Sequence, residues 1–238
     1  MFYAWGFKGL PGFGHYPGPY GDIMNAVSVY ERHTTDAVTA VNFDYRGFDT
    51  LGEEFILFTS VMGVLLLLRK QKDEQTHEPR DFAPDRVVPP MSDAVRALGL
   101  LLTGVLVVFG VDIVTHGQLT PGGGFQGGVI LASVALMIFL CGGYDLFCKV
   151  TNHTLTEVTE AVGAGGYAFI GLISLMFGMN YLQNFIPLGQ TGNVASSGTI
   201  ALISFATGLE VTAGFVLLMM AFFSDAFVLS KEGEEERE

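Results

Sequence analysis

HGQLTPGGGFQGGV, His116 to Val129, lies between two long apolar runs, and its reading decides the fold. Pro121 cannot donate a backbone hydrogen bond, and Gly122, Gly123, Gly124, Gly127 and Gly128 allow positive φ and close backbone approach. A helix arriving from the N-terminal side is therefore expected to stop here and the chain to turn. Apolar residues resume at once with Val129, Ile130 and Leu131, so the glycines belong to the turn and to the first turns of a helix packed hard on its neighbours. Such a start also presents free backbone N–H groups, which would suit an anion. The spacing favours a tight hairpin between two membrane helices over a ligand loop: no strand precedes the glycines and no Lys-Ser/Thr follows them.

Composition agrees. Half of the 238 residues are hydrophobic and 15% are charged, the signature of an integral membrane protein. The net charge of −12 is concentrated at the C-terminus, where Glu232, Glu234, Glu235, Glu236 and Glu238 predict a solvated, disordered tail. No basic patch interleaved with aromatics points to nucleic acid. Cys141 and Cys148, on one helix, would stand roughly 10 Å apart, beyond disulfide reach. The N-terminus has no cationic start followed by an apolar core, so no cleavable signal is expected.

Five apolar spans are expected, near 51–68, 94–115, 127–146, 154–179 and 199–223. The shortest, as a helix, is about 27 Å long and just covers a hydrocarbon core. The fold class is therefore an all-α integral membrane protein of about five transmembrane helices. Residues 1–46 read as an extramembrane or interfacial segment, 47–70 as a first membrane helix, 71–92 as a cytoplasmic linker, 93–225 as a four-helix membrane domain, and 226–238 as the acidic tail. Thr50 with Glu53, and Thr154 with Glu157, have the spacing of capping boxes, and Ser92 or Asp93 is placed to cap the second span. Ala164, Ala168, Gly171 and Gly178 form a small-residue stripe on the fourth. The loop at 69–93, Lys149 and the C-terminal tail hold most of the cations, which puts the C-terminus in the cytoplasm and the N-terminus outside.

Glu210 is the sharpest single residue. It sits near the middle of the fifth apolar run, where a charge costs about 2.5–3.5 kcal/mol even on the lenient insertion scale. Its helical neighbours Ala206, Thr207, Ala213 and Gly214 are small, so this face can pack against another helix or border a wet cavity. A neutral acid held inside a bundle and a proton-relay carboxyl both fit. Glu53 and Glu54 enter the first span, Glu157 and Glu160 the fourth, where the helix dipole favours acids. Asp112 and His116 flank the end of the second span, where they could bind or relay a cation or simply end a helix at water. No nucleophile triad, zinc spacing, haem motif or flavin fingerprint is visible, so neither a catalytic site, a metal site nor a cofactor is expected.

Two stretches resemble a known family. VNFDYRGFDTLGEE (Val41 to Glu54) is similar to the GFDTLGE segment at the C-terminal end of the A subunit of Mrp-type multisubunit Na+/H+ antiporters, also found as a small separate subunit in related membrane-bound hydrogenases. THGQLTPGGGFQGGVILA (Thr115 to Ala132) with SGTIALISFATGLEVTAGF (Ser197 to Phe215) resembles the MnhB/MrpB-like B subunit, whose marks are a PGGGF loop, here Pro121 to Phe125, and a late GLEV helix. The resemblance implies a subunit of an ion-translocating complex of the plasma membrane, with an A-tail-like and a B-like piece in one chain. It implies other membrane subunits as partners, Na+ and H+ as the transported ions, and Glu53 and Glu210 as its membrane acids. The alternatives are the membrane arm of a redox-driven pump such as a membrane-bound hydrogenase, and a packing subunit with no ion path.

Overall fold

In the computed structural model, residues 2–10, 12, 14, 15, 18–69 and 91–235 are described. Most of the linker expected at 71–92, and residues 236–238 of the expected tail, lie outside the described residues. All regular structure among the described residues is helical.

Three short elements precede the membrane helices: α1 (Phe2–Phe7), α2 (Tyr20–Arg32) and α3 (Ala37–Ala40), the last continuing into a π-helix at Val41–Tyr45. The side chain of Asp36 caps α3, its Oδ1 accepting from Val38 N at 3.0 Å. Then come α4 (Gly47–Leu67), α5 (Asp93–Thr115), α6 (Gly124–Gly142), α7 (Tyr144–Val150), α8 (His153–Met176) and α9 (Thr199–Glu235). α4, α5, α6, α8 and the Thr199–Phe223 part of α9 are long and apolar enough to cross a membrane, giving the five spans.

Several boundaries differ from the sequence reading, each for a local reason. α4 starts at Gly47, four residues before the expected span, because Arg46 and Asp49 form an ion pair across its first turn. Thr50 is then inside the helix and donates to Asn42 O at 2.7 Å, so the Thr50–Glu53 capping box does not form. α8 is capped instead by Asn152, whose Oδ1 accepts from Leu155 N at 3.0 Å, and the Thr154–Glu157 box does not form either. The expected span at 127–146 stops at Gly142, where Gly143 turns the chain with φ 82°, and α7 follows as a separate helix. α8 ends at Met176, short of 179, with Gly178 at φ 72° and Met179 N donating back to Ser174 O. The backbone of α9 remains helical to Glu235, into the stretch expected to be a disordered tail. Ser92 caps α5 as expected, accepting from Val95 N.

α9 is the hub. It packs against α8, α6, α4 and α5, and 67% of its membrane stretch is buried, against 17% for the peripheral α5. The organising turn makes this possible. Gly123 lies at φ 130°, a conformation an L side chain rarely adopts, and its N–H donates to Ile113 O at 3.2 Å, closing the hairpin. The glycines that follow have no Cβ because there is no room for one. At Gly124 it would lie 2.6 Å from Thr207 Cβ, at Gly127 2.8 Å from Gly110 O, and at Gly128 2.8 Å from Val211 Cβ. α6 therefore seats its backbone on α5 and α9 together, the close packing on which membrane helices rely where lipid is as apolar as the side chains.

Apolar clusters close the two ends of the bundle. Phe43, Leu51, Tyr167, Leu182, Ile200 and Ile203 pack near the start of α9, and Ala132, Ala135, Phe147 and Val216 pack further along it. Over the first end lies a hydrogen-bonded cap. Thr34 Oγ1 donates to Ser197 Oγ at 2.7 Å, Thr35 N to Gln118 O at 3.1 Å, and the buried Gln118 donates from Nε2 to Val194 O at 2.7 Å. Arg32 pairs with Asp44 at 2.7 Å, and Asn184 Nδ2 holds Ser197 O at 2.9 Å.

Candidate functional site

Between these clusters three helices each deliver one buried carboxyl. Glu54 on α4 is 1% exposed, Glu210 on α9 is 0% and Glu160 on α8 is 2%. Glu54 and Glu210 face one another, with the buried Thr207 hydroxyl beside Glu54. Among the described residues no other group donates to either acid: the two carboxyls, with the Thr207 hydroxyl beside Glu54, have only one another within reach, and Glu160 Oε1 has no hydrogen-bond partner. Among the described residues no Lys, Arg or His forms an ion pair with any of the three. Buried charges are normally paired, so acids left in an apolar interior without cations are held protonated or hold a cation.

The local sequence explains the convergence. Gly163 lets α8 lie on α9 at the acid itself: a Cβ there would be 2.5 Å from Glu210 N and 2.8 Å from Glu210 Cα. One turn further along α9, Gly214 leaves room for Val61 of α4 and for Glu160, whose Oε1 would be 3.4 Å from a Cβ at that position. Thr207 is pressed against the Gly124 backbone, so the PGGGF turn fixes the polar face of α9 from behind. Tyr167 is fully buried beside the site and donates from its hydroxyl to Gly47 O at 2.8 Å, tying α8 to the start of α4.

Of the acids singled out from the sequence, Glu210 and Glu54 are brought together. Glu53 is not: it is exposed, turned about 100° round α4 from Glu54. Asp112 and His116 pair with each other at 2.8 Å at the end of α5, with side chains 58% and 33% exposed. Glu157 is half-exposed near the start of α8, its Oε2 3.3 Å from His153 Nδ1. Pro121 to Gly128 serve helix contact. Sequence reasoning gave Glu160 the same helix-start role as Glu157. What separates them is depth along the helix: Glu160 lies nearly a turn further in than Glu157, towards the buried Gly163, Ala164 and Tyr167.

A five-span helical bundle in which three helices each bring one buried acid to the centre defines a polytopic membrane subunit with an acidic centre. Residues 94–220 match the family described as a domain related to the MnhB subunit of Na+/H+ antiporter, and the chain belongs to that family. An uncharacterized protein of Methanocaldococcus jannaschii is 27% identical over 213 residues, covering 84% of this chain and 81% of the relative. A probable A/B subunit of a K+/H+ antiporter of Rhizobium meliloti is 29% identical over 127 residues, 46% of this chain but 12% of that one. A chain of the membrane-bound sulfane sulfur reductase, an archaeal respiratory membrane complex, superposes with TM-score 0.71 at 31% identity, covering 93% of this chain and 91% of that chain. A chain of the Mrp complex from Dietzia sp. DQ12-45-1b shares the fold with TM-score 0.71 at 18% identity, over 92% of this chain and 24% of that chain. The chain is thus a multi-pass membrane protein with an Mrp-type antiporter-subunit domain, similar to subunits of multisubunit membrane complexes. α4, which supplies Glu54, lies outside the matched residues, so the acid pair is assembled across that boundary.

Proposed function

We propose that this chain is a transport subunit of an Mrp-type cation/proton-translocating complex and that Glu54 and Glu210 form a carboxyl pair on the Na+/H+ route. The observation that supports this is the burial of both acids in the bundle with no cation among the described residues paired to them. Two facing carboxyls in a dry interior share protons readily, because two like charges so close cannot both ionise at low cost. Binding a cation or a proton relieves the same repulsion, which is the exchange an antiporter needs. In this reading the chain has no catalytic site of its own, and the energy source belongs to partner subunits. In the same reading the cation-rich loops face the cytoplasm, so that α8 begins on the cytoplasmic side. Glu210→Gln in the intact complex removes the proton-binding group at nearly constant shape. It is expected to lower antiport in vesicles by about 10²-fold, the scale of a lost acid–base group. Unchanged transport with normal assembly would overturn the reading.

A second reading concerns the parent complex. The match to the sulfane sulfur reductase chain runs over nearly the whole length of both chains, whereas the antiporter chains are matched over a small part of theirs. The near-full-length match keeps open, as a second reading, a parent complex driven by a redox reaction, with this chain in its membrane arm. Purification of the native complex decides between them: metal-cluster subunits among its chains support the redox-driven form, and antiporter subunits alone refute it.

A further inference from the structure

We propose that α8 carries a proton-conducting branch, His153–Glu157–Glu160, which connects the Glu54–Glu210 pair to the membrane face at which α8 begins. The inference rests on the reading of that pair as a transport site, and it gives Glu160 a role as proton-relay residue.

The three side chains recur at i, i+4 and i+7 and so lie on one face of α8. Their exposure falls stepwise into the protein, from 56% at His153 and 51% at Glu157 to 2% at Glu160. His153 Nδ1 and Glu157 Oε2 are 3.3 Å apart at the water-facing end. At the inner end Glu160 Oε1 is buried without a hydrogen-bond partner among the described residues, 3.4 Å from a Cβ position at Gly214, and Gly163, one turn further along α8, lies on the backbone of Glu210. The gap between Glu160 and Glu210 is kept open by Gly214. Its position is one turn past Glu210, about 6 Å along α9, and any side chain there would occupy the space in front of Glu160 Oε1. The Thr207 hydroxyl, also fully buried, lies on the other side of the pair.

Depth completes the argument. The spans alternate in direction, so α4 and α9 enter from one face and α8 from the other. Glu54 is about 10 Å along α4, Glu210 about 16 Å along α9, and Glu160 about 10 Å in from the opposite face. The three acids thus occupy successive depths through the middle third of a hydrocarbon layer about 30 Å thick, and Glu157 and His153 continue from Glu160 towards the face at which α8 begins. In each transfer an O–H bond on the donor carboxylic acid breaks as one forms on the acceptor carboxylate. Glu160 receives the proton of Glu210 and passes it to Glu157, from which the His153 imidazole takes it to water. Each group is restored when the next proton arrives.

The test uses the intact complex in sealed vesicles with Glu160→Gln, Glu160→Asp and Glu210→Gln, each checked for assembly. Glu160→Gln is expected to lower proton translocation by about 10²-fold, and Glu160→Asp, which keeps a proton-binding group, to restore part of it. Infrared difference spectra taken during turnover are expected to show a carboxylic-acid carbonyl band that Glu160→Gln removes, a change that a structural role alone would not produce. Loss of transport in Glu210→Gln with wild-type transport in Glu160→Gln would overturn the branch and leave the pair standing. Wild-type transport in both would overturn the pair as well. Should Glu160→Gln fail to assemble, Glu160→Asp and the wild-type band decide: absence of any Glu160 carbonyl signal rejects the relay.

Discussion

Gly163 lies directly on the backbone of Glu210: a Cβ at Gly163 would fall 2.8 Å from Glu210 Cα and 2.8 Å from Ala206 O. α8 and α9 therefore touch backbone to backbone at the level of the buried acid, and the position of Glu210 is set by a residue with no side chain. The groups a substitution would strike are main-chain atoms of the central helix, which cannot swing aside.

Gly163→Ala is accordingly expected to destabilise the chain by about 1–3 kcal/mol, the cost of overpacking a close contact. Gly165, two residues on, has nothing within 4 Å of its Cβ direction, so Gly165→Ala is expected to cost nothing. Thermal unfolding of the detergent-solubilised complex measures both. Equal effects at the two positions would show that α8 and α9 do not meet at Gly163.

The spans were legible in the sequence because apolar length is a property of the chain alone, and the hairpin at Pro121–Gly128 because glycine and proline restrict the backbone locally. The two capping boxes were not. Thr50 and Thr154 have the right spacing, but each lies inside a helix begun by a neighbour: the Arg46–Asp49 pair in one case, the Asn152 side chain in the other. Glu210 stood out because an acid in mid-span has no cheap local explanation. Glu160 did not stand apart from Glu157, since an acid near a helix start has such an explanation; Glu54 lacked the capping-box explanation that Thr50 offered for Glu53, but the family resemblance put the weight on Glu53. Which of two neighbouring acids turns inward depends on partners about 50 residues away in the sequence for Glu160 and more than 150 for Glu54. Of the small-residue stripe, Ala164 and Gly171 are buried, Gly171 against the Tyr181 ring; the backbone contact with α9 is made by Gly163, which the stripe left out, and Gly178 lies beyond the helix with open space around it.

The Asn152 cap yields a local prediction. Asn152→Ala removes the acceptor for Leu155 N and is expected to cost about 1 kcal/mol, while Thr154→Ala, on an exposed side chain, costs little. Hydrogen exchange at the first turn of α8 reads the difference. Greater loss of protection in Thr154→Ala would restore the capping box.

Asp112 and His116 could have been part of an ion route, and their geometry argues against it. They form an exposed i, i+4 pair at the end of α5, remote from the buried acids, and such pairs contribute about 0.3–0.5 kcal/mol. Asp112→Asn and His116→Ala are expected to leave transport and assembly within about twofold of wild type. A loss of about tenfold or more in either, read as a free energy of about 1.4 kcal/mol, would place the end of α5 on the path.

The facing pair makes the most discriminating prediction, because it separates a transport site from packing. If Glu54 and Glu210 act as one proton-sharing unit, removing either carboxyl disables it, and removing the second has nothing left to disable. Glu54→Gln and Glu210→Gln are then each expected to lower transport by about 10²-fold, with the double variant no worse than the weaker single one, since effects within one functional unit do not add. A bundle that merely tolerates two neutral acids predicts the opposite pattern: transport near wild type in all three, with small, additive changes in stability. Vesicle transport and unfolding measured on the same three preparations give both halves of the cycle. Additive losses of transport would mean that the two acids act independently, and that their approach in the bundle is not what couples them.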